Sequence, residues 1–249
     1  MIGLEYIPKQ KDTDIKIISK WIDKIKPDFI ILPDSPNLKP TPEASVLAPL
    51  WSKELKLDVI ASIAGSGRRE ERVESLLKSL AYLQVKKVAL IGGDCPIEGN
   101  LSGIQMIKKA KEILGQECVV ISGSKAMLDT QEKVKLQAKI ENGANIIITQ
   151  PIFELKTAQK FLDDFEKISQ GSKAKAMINF FPIYESGFCE RLMQNNLGFE
   201  IPMSYLQNIR DNPIKANLKL YEAFVSLGEN IHISGAKNIF LQEFFDNLS

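Results

Sequence analysis

Several polar residues stand at the ends of short apolar segments, where a folded chain could bring them together. Glu5 ends the segment MIGLE, Asp94 follows KKVALIGG, and Gln150 follows ANIIIT. Two carboxyl groups can support acid chemistry if apolar surroundings raise the pKa of one and leave the other ionised. The side-chain amide of Gln150 adds a group that both donates and accepts hydrogen bonds. These three residues are therefore the first candidates for a shared site.

Each of these residues also has a purely structural interpretation. Glu5 could pair with a buried lysine, Asp94 could fix a turn through an Asx hydrogen bond, and Gln150 could hold a loop. We interpret His232, the sole histidine, as a core residue rather than a catalyst. Arg68 lies in the segment RREE, which predicts a solvated helix start, although an arginine at the edge of a site could also bind a phosphate.

Short apolar runs alternate with amphipathic segments along the whole chain. The runs are nearly continuous in apolar character, which is typical of parallel strands buried on both faces. They are MIGLEYI, DFIIL, LDVIASIA, KKVALIG, CVVIS, ANIIITQ, AKAMINFF and NIHIS. The intervening segments place apolar residues at helical spacing. The predicted helices cover 13–25, 42–55, 69–83, 102–114, 129–142, 155–168, 185–196 and 214–227, with another after Gly235 and a helical insertion within 199–213.

Eight strand-then-helix repeats in 249 residues predict a (β/α)8 TIM barrel. We expect a single domain over residues 1–249. An open doubly wound sheet is the main alternative, and its dinucleotide sites place G-x-G-x-x-G at the first turn. The turn YIPKQKD contains no glycine, and the G-x-G at Gly65 follows the third strand. The barrel is therefore the better interpretation.

A barrel would place the carboxyl end of every strand at one open face, which we call the mouth. The strand ends contribute Glu5, Asp34, Ser62, Gly65, Asp94, Ser122, Gln150, Pro182, His232 and Ser234. Trp21 and Trp51 lie instead within predicted helices, and we expect them to pack in the core.

Charge and composition exclude several classes of protein. Lys and Arg number 32 against 31 Asp and Glu, so no cationic surface for nucleic acid is indicated. The three cysteines lack a CxxC pair or a histidine cluster, so neither a disulfide framework nor a metal site is expected, and a cytoplasmic location fits. No segment approaches the roughly 20 apolar residues of a membrane-spanning helix.

Four motifs, in order, resemble those of the methylenetetrahydrofolate reductase family. LEYIPK resembles FEFFPPK, KKVALIGGDCP resembles a strand ending in ALRGDxP, GANIIITQPIFEL resembles GAxxxITQxFFD, and INFFPI resembles PGIxPI. Together they span nearly the whole chain. The resemblance implies an eight-stranded barrel that binds FAD and uses NAD(P)H to reduce the methylene group of a reduced folate to a methyl group, within one-carbon metabolism and methionine biosynthesis.

The resemblance also implies roles for particular residues. Glu5 falls on the general acid that acts on folate, and Asp94 falls on the aspartate beside flavin and pterin. Gln150 falls on a pterin-binding glutamine, and Phe188 approximates an aromatic residue that stacks with substrate and nicotinamide. Flavin contacts are implied for Ser62, Gly93, Glu132 and Lys139. The family also suggests self-association into a homo-oligomer.

The chain departs from the family pattern mainly on the flavin side. Pro33, Asp34 and Ser35 replace a threonine and YGA, Ser62 replaces a histidine, and Gly92 replaces the arginine of RGD. ISGSKAMLD stands in place of YPExH, and SGAKN replaces YTLN. Two alternatives therefore stay open: a barrel that binds folate or pterin without flavin, as a non-redox module or partner subunit, and a flavin-free lyase or transferase.

Overall fold

The barrel is described by a computed structural model over residues 1–36, 39–92, 100–194, 199–228, 230–235 and 237–248. Parallel strands pair in chain order, and β8 pairs with β1 to close the barrel. This confirms the predicted (β/α)8 fold. The strands are β1 (Ile2–Glu5), β2 (Phe29–Leu32), β3 (Asp58–Ala64), β4 (Lys87–Ile91), β5 (Val119–Ser124), β6 (Ala144–Pro151), β7 (Lys175–Phe180) and β8 (Asn230–Ile233).

The helices form the outer layer and lie close to their predicted bounds. They are α1 (Lys11–Ile25), α2 (Ala44–Leu55), α3 (Glu70–Tyr82), α4 (Gly103–Leu114), α5 (Thr130–Glu141), α6 (Leu155–Ile168), α7 (Ser186–Gln194), α8 (Met203–Asp211), α9 (Pro213–Ser226) and α10 (Asn238–Asn247). The extra helix α8 is the predicted insertion between β7 and β8. Side chains fix several helix starts: Ser102 and Gln105 form a capping box at α4, and Asp129 and Asn212 cap α5 and α9.

Alternation along the strands divides the core into two layers. On β2, Ile30 and Leu32 pack outward against the helices, whereas Phe29 and Ile31 belong to a separate inner cluster. The other buried members of the inner cluster are Ile60, Ala89, Ile121 and Met177. Because successive side chains of a strand point to opposite faces, this pattern fixes which residues face the barrel interior.

The same alternation orients β1. Leu4 packs in the outer core, so Gly3 and Glu5 lie on the inner face. Gly3 pairs with His232 on β8, and a Cβ atom at Gly3 would lie 2.7 Å from the His232 Nδ1 atom. Only glycine allows the two strands to approach this closely. Packing against β8 therefore requires a glycine at position 3, two residues before Glu5 on the same inner face.

Tyr6 anchors the outer core directly after Glu5. Its ring centroid lies 5.2 Å from that of Trp21 and 6.0 Å from that of Trp51, both in edge-to-face contacts. All three side chains are buried. The predicted packing role of the two tryptophans is confirmed, and together they hold the chain that leaves β1.

A buried asparagine on α9 holds the turn that follows β7. The Asn217 side chain donates hydrogen bonds to the Ile183 and Pro213 carbonyl oxygens at 2.8 and 2.7 Å. Its Oδ1 atom accepts from the Ile183 N–H at 3.0 Å and from the Tyr205 hydroxyl at 2.9 Å. Asn217 is completely buried. One amide therefore satisfies four polar groups inside the helix layer.

Replacing this amide is expected to destabilise the fold strongly. Asn217→Ala should lower the free energy of unfolding by about 3 kcal/mol, because the buried Ile183 and Tyr205 groups lose their partner. The melting temperature should fall by roughly 6–12 °C, measured by calorimetry. Asn247→Ala, at an exposed asparagine that bonds the Glu243 carbonyl, should change the free energy by less than about 0.5 kcal/mol. Equal losses in the two variants would contradict this interpretation.

Candidate active site at the barrel mouth

The Glu5 carboxyl lies at the carboxyl end of β1, on the inner face of the barrel. The residue as a whole keeps some solvent exposure, whereas the surrounding protein desolvates its carboxyl group. Desolvation raises the pKa of Glu5 to about 7, against a smaller lowering effect of the hydrogen bond from the Gly235 backbone N–H. A carboxyl group with this pKa holds its proton up to neutral pH and can deliver it to a ligand at the mouth.

The lysine pairing considered for Glu5 does not occur within the described part of the chain. Burial and the Gly235 N–H are the influences on its pKa, and no described cation contributes. A lysine partner would instead lower the pKa of the carboxyl group. Burial without a counter-charge is costly in a structural role, and it is the usual way in which a protein prepares a carboxylic acid for proton transfer.

Hydrogen bonds connect Glu5 to the next three strands around the mouth. Gly235, which donates to Glu5, follows Ser234 at the end of β8, and the Ser234 hydroxyl donates to the Asn179 Oδ1 atom on β7 at 2.7 Å. The Asn179 backbone N–H donates to Thr149 Oγ1 on β6 at 3.0 Å. Gln150 follows Thr149 directly. The strands that carry Glu5 and Gln150 are thus connected through β8 and β7.

Asn179 is the functional candidate that sequence reasoning missed. It lies in the run INFF, whereas the residue predicted from the seventh strand is Pro182, which follows this run. The structure places Asn179 on the strand itself, buried and paired with His232 of β8. The available signal was a polar residue within an otherwise apolar strand, which implies a specific hydrogen-bond partner inside the barrel.

Two predicted site residues, Gly93 and Asp94, lie outside the described residues. Ser62 lies on β3, where it is buried and paired with Ala89 of β4.

Glu132 and Lys139 lie on α5, close to the end of β5. The Lys139 Nζ atom donates to the Gly123 carbonyl oxygen at 2.6 Å, and burial lowers the pKa of this lysine. Glu132 accepts from Lys135 at 2.8 Å and lies 3.3 Å from Lys125, and these partners lower its pKa. Asp129, which caps α5, also interacts with Lys125 and Lys135. Three lysines and two carboxylates thus meet at this corner, which we call the lysine corner (Lys125, Asp129, Glu132, Lys135 and Lys139).

Phe188 lies on α7 within an aromatic and cationic cluster. Its ring packs edge-to-face on Phe240 at 5.5 Å between centroids. The Lys237 Nζ atom and the Arg191 guanidinium carbon lie 5.5 and 5.8 Å from the Phe188 ring centroid. Nearby, the buried Tyr184 hydroxyl has no hydrogen-bond partner within the described ranges. Phe188 is partly exposed, so one part of its ring remains available to a ligand.

The predicted solvated helix start is confirmed for Arg69, Glu70 and Glu71, which are exposed at the beginning of α3, but it is wrong for Arg68. Its guanidinium group forms a two-pronged ion pair with Asp34, with nitrogen-to-oxygen distances of 2.6 and 2.7 Å. The Asp34 side chain is 6% exposed and also accepts from the Ala64 N–H at 3.0 Å. Sequence reasoning missed this contact because the partners are 34 positions apart. The pair joins the ends of β2 and β3.

His232 is a barrel-interior residue, as expected. Its ring stacks on Phe29 with centroids 6.4 Å apart, and burial lowers its pKa to about 3. The imidazole therefore stays neutral over the physiological pH range. Its buried Nδ1 atom, which faces Gly3, has no hydrogen-bond partner among the residues that the structure describes.

The described residues contain neither a metal site nor a membrane-spanning helix. Across the described ranges, no three His, Cys, Asp or Glu side chains are grouped so that they could hold a metal ion. Of the helices that the structure describes, none combines the length and apolar character needed to cross a membrane.

Comparison with protein families gives one match that covers almost the whole chain. The sequence model described as methylenetetrahydrofolate reductase matches residues 1–241. No curated protein matches the sequence at a significant level.

Solved structures share the fold at low sequence identity. An uncharacterized protein from Clostridium thermocellum, which binds two copies of 5-methyl-5,6,7,8-tetrahydrofolic acid, superimposes with a TM-score of 0.73 at 16% identity. The match covers 99% of this chain and 93% of that chain. Oxaloacetate acetylhydrolase in complex with oxalate gives a TM-score of 0.54 at 10% identity, over 94% of this chain and 74% of that chain. These similarities support the barrel fold.

The raised pKa of Glu5 predicts a pH-dependent effect of Glu5→Gln on stability. Between about pH 4.5 and 7 the folded state keeps a proton that the unfolded state has released, so this carboxyl group makes the wild type less stable as pH rises. Above pH 7 the penalty is complete. Relative to the wild type, Glu5→Gln should therefore gain about 2–3 kcal/mol between pH 5 and 8, measured by urea unfolding.

Glu71→Gln, at an exposed position on α3, is the control for this prediction. Its stability relative to the wild type should stay constant over the same pH range. A Glu5→Gln variant that behaves like this control would show that the Glu5 carboxyl is not desolvated in the folded protein.

Proposed function

Because this chain belongs to the methylenetetrahydrofolate reductase family, we propose that its barrel binds a reduced folate at the mouth and that Glu5 acts on it as a general acid. The observation that carries this proposal is the desolvated carboxyl group at the end of β1, whose pKa of about 7 lets it hold a proton at neutral pH. The 5-methyltetrahydrofolic acid bound by the Clostridium thermocellum protein supports the substrate class.

The proposed reaction is the reduction of 5,10-methylenetetrahydrofolate to 5-methyltetrahydrofolate. The one-carbon unit of the substrate bridges two nitrogen atoms. A proton delivered to one nitrogen allows its bond to the bridging carbon to break, and an iminium ion remains on the other nitrogen. Hydride addition to that carbon gives the methyl product. Glu5 is suited to supply the proton, and positioned acids of this kind contribute roughly 10²–10⁴-fold to rate.

The neighbouring strands offer groups that suit a pterin. A pterin ring carries donors and acceptors along one edge, and amides can match both kinds. Asn179 and Gln150 supply such amides on β7 and β6, and the hydrogen bond from Ser234 fixes the orientation of the Asn179 side chain. The partly exposed ring of Phe188 is suited to stack on an aromatic part of the substrate.

We propose FAD as the hydride carrier, with NAD(P)H as its reductant. The donor set of the lysine corner fits the anionic pyrophosphate of FAD, because its three lysines outnumber its two carboxylates, Asp129 and Glu132. Ser62 would contact the flavin from β3. When bound, the flavin would supply hydride to the folate carbon, while the protein would provide orientation and exclude water.

A barrel that binds folate without flavin is the second candidate, and one observation favours it. Asp34 lies in the segment that replaces a threonine and YGA of the family, and its carboxylate is already engaged by Arg68 and the Ala64 N–H. The Ser122 hydroxyl likewise donates to the Leu90 carbonyl oxygen. Polar groups that follow β2 and lie within β5 are thus already bonded to protein partners. Such a barrel would act as a non-redox module or partner subunit.

Absorbance and calorimetry separate the two candidates. The first predicts a protein that shows a flavin spectrum, is bleached by NADH or NADPH and is reoxidised by methylenetetrahydrofolate. The second predicts a colourless protein that stays colourless after incubation with FAD and still binds 5-methyltetrahydrofolate in a calorimetric titration. If methylenetetrahydrofolate does not reoxidise the flavin and calorimetry detects no binding of 5-methyltetrahydrofolate, the proposed substrate class is ruled out.

Glu5→Gln should separate proton transfer from hydride supply. In the flavin-dependent candidate, flavin reduction by NAD(P)H should stay within about twofold of the wild type, whereas reoxidation by methylenetetrahydrofolate should fall by roughly 10²-fold or more. Stopped-flow absorbance measures both half-reactions. Glu71→Gln should leave both unchanged. An equal loss in the two half-reactions would contradict the role of Glu5 as the acid.

Lys139→Met tests the cofactor side. Removing one charge-assisted contact should weaken FAD binding about tenfold or more while leaving the affinity for 5-methyltetrahydrofolate unchanged. Lys133→Met is the matched control, because Lys133 lies on the same helix and pairs with Asp164 on α6. If both variants bind FAD with wild-type affinity, Lys139 does not hold the cofactor.

A further inference from the structure

The β1–α1 loop and the β8–α10 loop are joined by two reciprocal contacts. In the first, the side chain of Glu5 accepts a hydrogen bond from the Gly235 backbone N–H. In the second, the side chain of Asn238 binds the backbone of Ile7: its Nδ2 atom donates to the Ile7 carbonyl oxygen at 2.9 Å, and its Oδ1 atom accepts from the Ile7 N–H at 3.3 Å. Each side of this contact therefore contributes one side chain that forms a hydrogen bond with the backbone of the other.

The residue between these contacts is held from a third direction. The buried Tyr6 hydroxyl donates to Asp14 Oδ1 at 2.8 Å, and it also makes a hydrogen bond with the Asn238 side chain. Asp14 Oδ2 accepts from the N–H groups of Lys9 and Gln10 at 2.6 and 2.7 Å. Helix α1 thus fixes the far end of the loop, whereas Asn238 fixes the part nearest Glu5.

We propose that Asn238 is a positioning residue for Glu5, holding the β1–α1 loop so that the Glu5 carboxyl stays against the Gly235 N–H and away from water. Glu5 has a flexible side chain and one described backbone donor, so its place depends on the relative position of the two loops. Asn238 begins α10, which makes it a rigid point of attachment. This inference rests on the proposed role of Glu5 as the acid.

The groups around Glu5 come from four elements. Ile31 pairs with it from β2, Ser234 follows β8, Asn238 lies on α10, and Asp14 on α1 faces the Tyr6 hydroxyl. The titratable groups next to these residues are Tyr6, Asp14, His232 and Lys237, of which Lys237 lies over the Phe188 and Phe240 rings. His232 is neutral, and burial raises the pKa of Tyr6, so neither changes charge near neutral pH. Asp14 bonds the Tyr6 hydroxyl and the Lys9 and Gln10 N–H groups, whereas the Gly235 N–H bonds Glu5. A titration near pH 7 at Gly235 that Glu5→Gln abolishes therefore reports on Glu5.

The Gly235 amide provides a direct probe, since its proton points to the Glu5 carboxyl group. In the wild type, the chemical shift of this amide should change with pH, with a midpoint near 7, and Glu5→Gln should abolish the change. In Asn238→Ala, the loop should relax and admit water to the carboxyl group. The midpoint should then fall by about one pH unit, toward the value of a solvated glutamate.

Asn230→Ala is the matched control at the opposite end of β8. Its Nδ2 atom donates to the Ala176 carbonyl oxygen at 3.1 Å, so the variant also loses an amide contact to backbone. It should leave the Gly235 midpoint unchanged. If Asn238→Ala does not fold, Asn238→Ser carries the same test with the same expected direction. A wild-type midpoint in a folded Asn238 variant would overturn the positioning role.

Failure of the proposed function would give a different result. In that case the wild type would not bind 5-methyltetrahydrofolate in a calorimetric titration, while the Gly235 titration and its dependence on Asn238 would remain. Loss of the Gly235 titration in the wild type itself would overturn both the contact with Glu5 and the role given to Asn238.

Discussion

The site depends on one energetically unfavourable feature, the burial of the Glu5 carboxyl group away from water. None of the described residues supplies a counter-charge to it. In water this group would be ionised at neutral pH and would have no proton to give. A single backbone donor stabilises the ionised form only in part, so desolvation is the larger effect. The packing of β1 against its neighbouring strands and against the helix layer keeps this carboxyl group from water.

The barrel makes that environment possible because closure leaves no strand edge and gives every strand two faces with separate tasks. The outer faces and the helices form a continuous apolar layer, which holds Tyr6, Trp21 and Trp51 directly behind Glu5. The inner faces carry apolar residues such as Phe29 and Ile31, and polar residues such as Glu5 and Asn179 lie on the same faces toward the strand ends. The polar residues Asn179 and Ser234 satisfy each other, so their burial adds little cost.

The order of strands and helices was predictable from the sequence, because apolar runs and helical spacing are local properties of the chain. The location of Glu5 at a strand end followed from the same pattern. The Asp34–Arg68 ion pair and the hydrogen bonds between Asn238 and Ile7 were not predictable, because these residues are distant in sequence and meet only when the barrel closes. The role of Asn179 was not predictable for a related reason. A single polar residue in an apolar strand implies a hydrogen-bond partner, but the sequence does not show that this partner is Ser234, which follows β8.

Strand β6 contains a feature whose consequence concerns insertions and deletions. Ile148 pairs with Met177 and Pro151 pairs with Asn179, so three steps along β6 match two steps along β7. The additional residue shifts the phase of alternation in the last part of the strand. Removing one residue there would restore a regular ladder and exchange the faces of the residues that follow. In the last part of β6, the number of residues is therefore as constrained as their chemical identity. Related barrels in which this part of β6 is longer or shorter would present different side chains to the barrel interior.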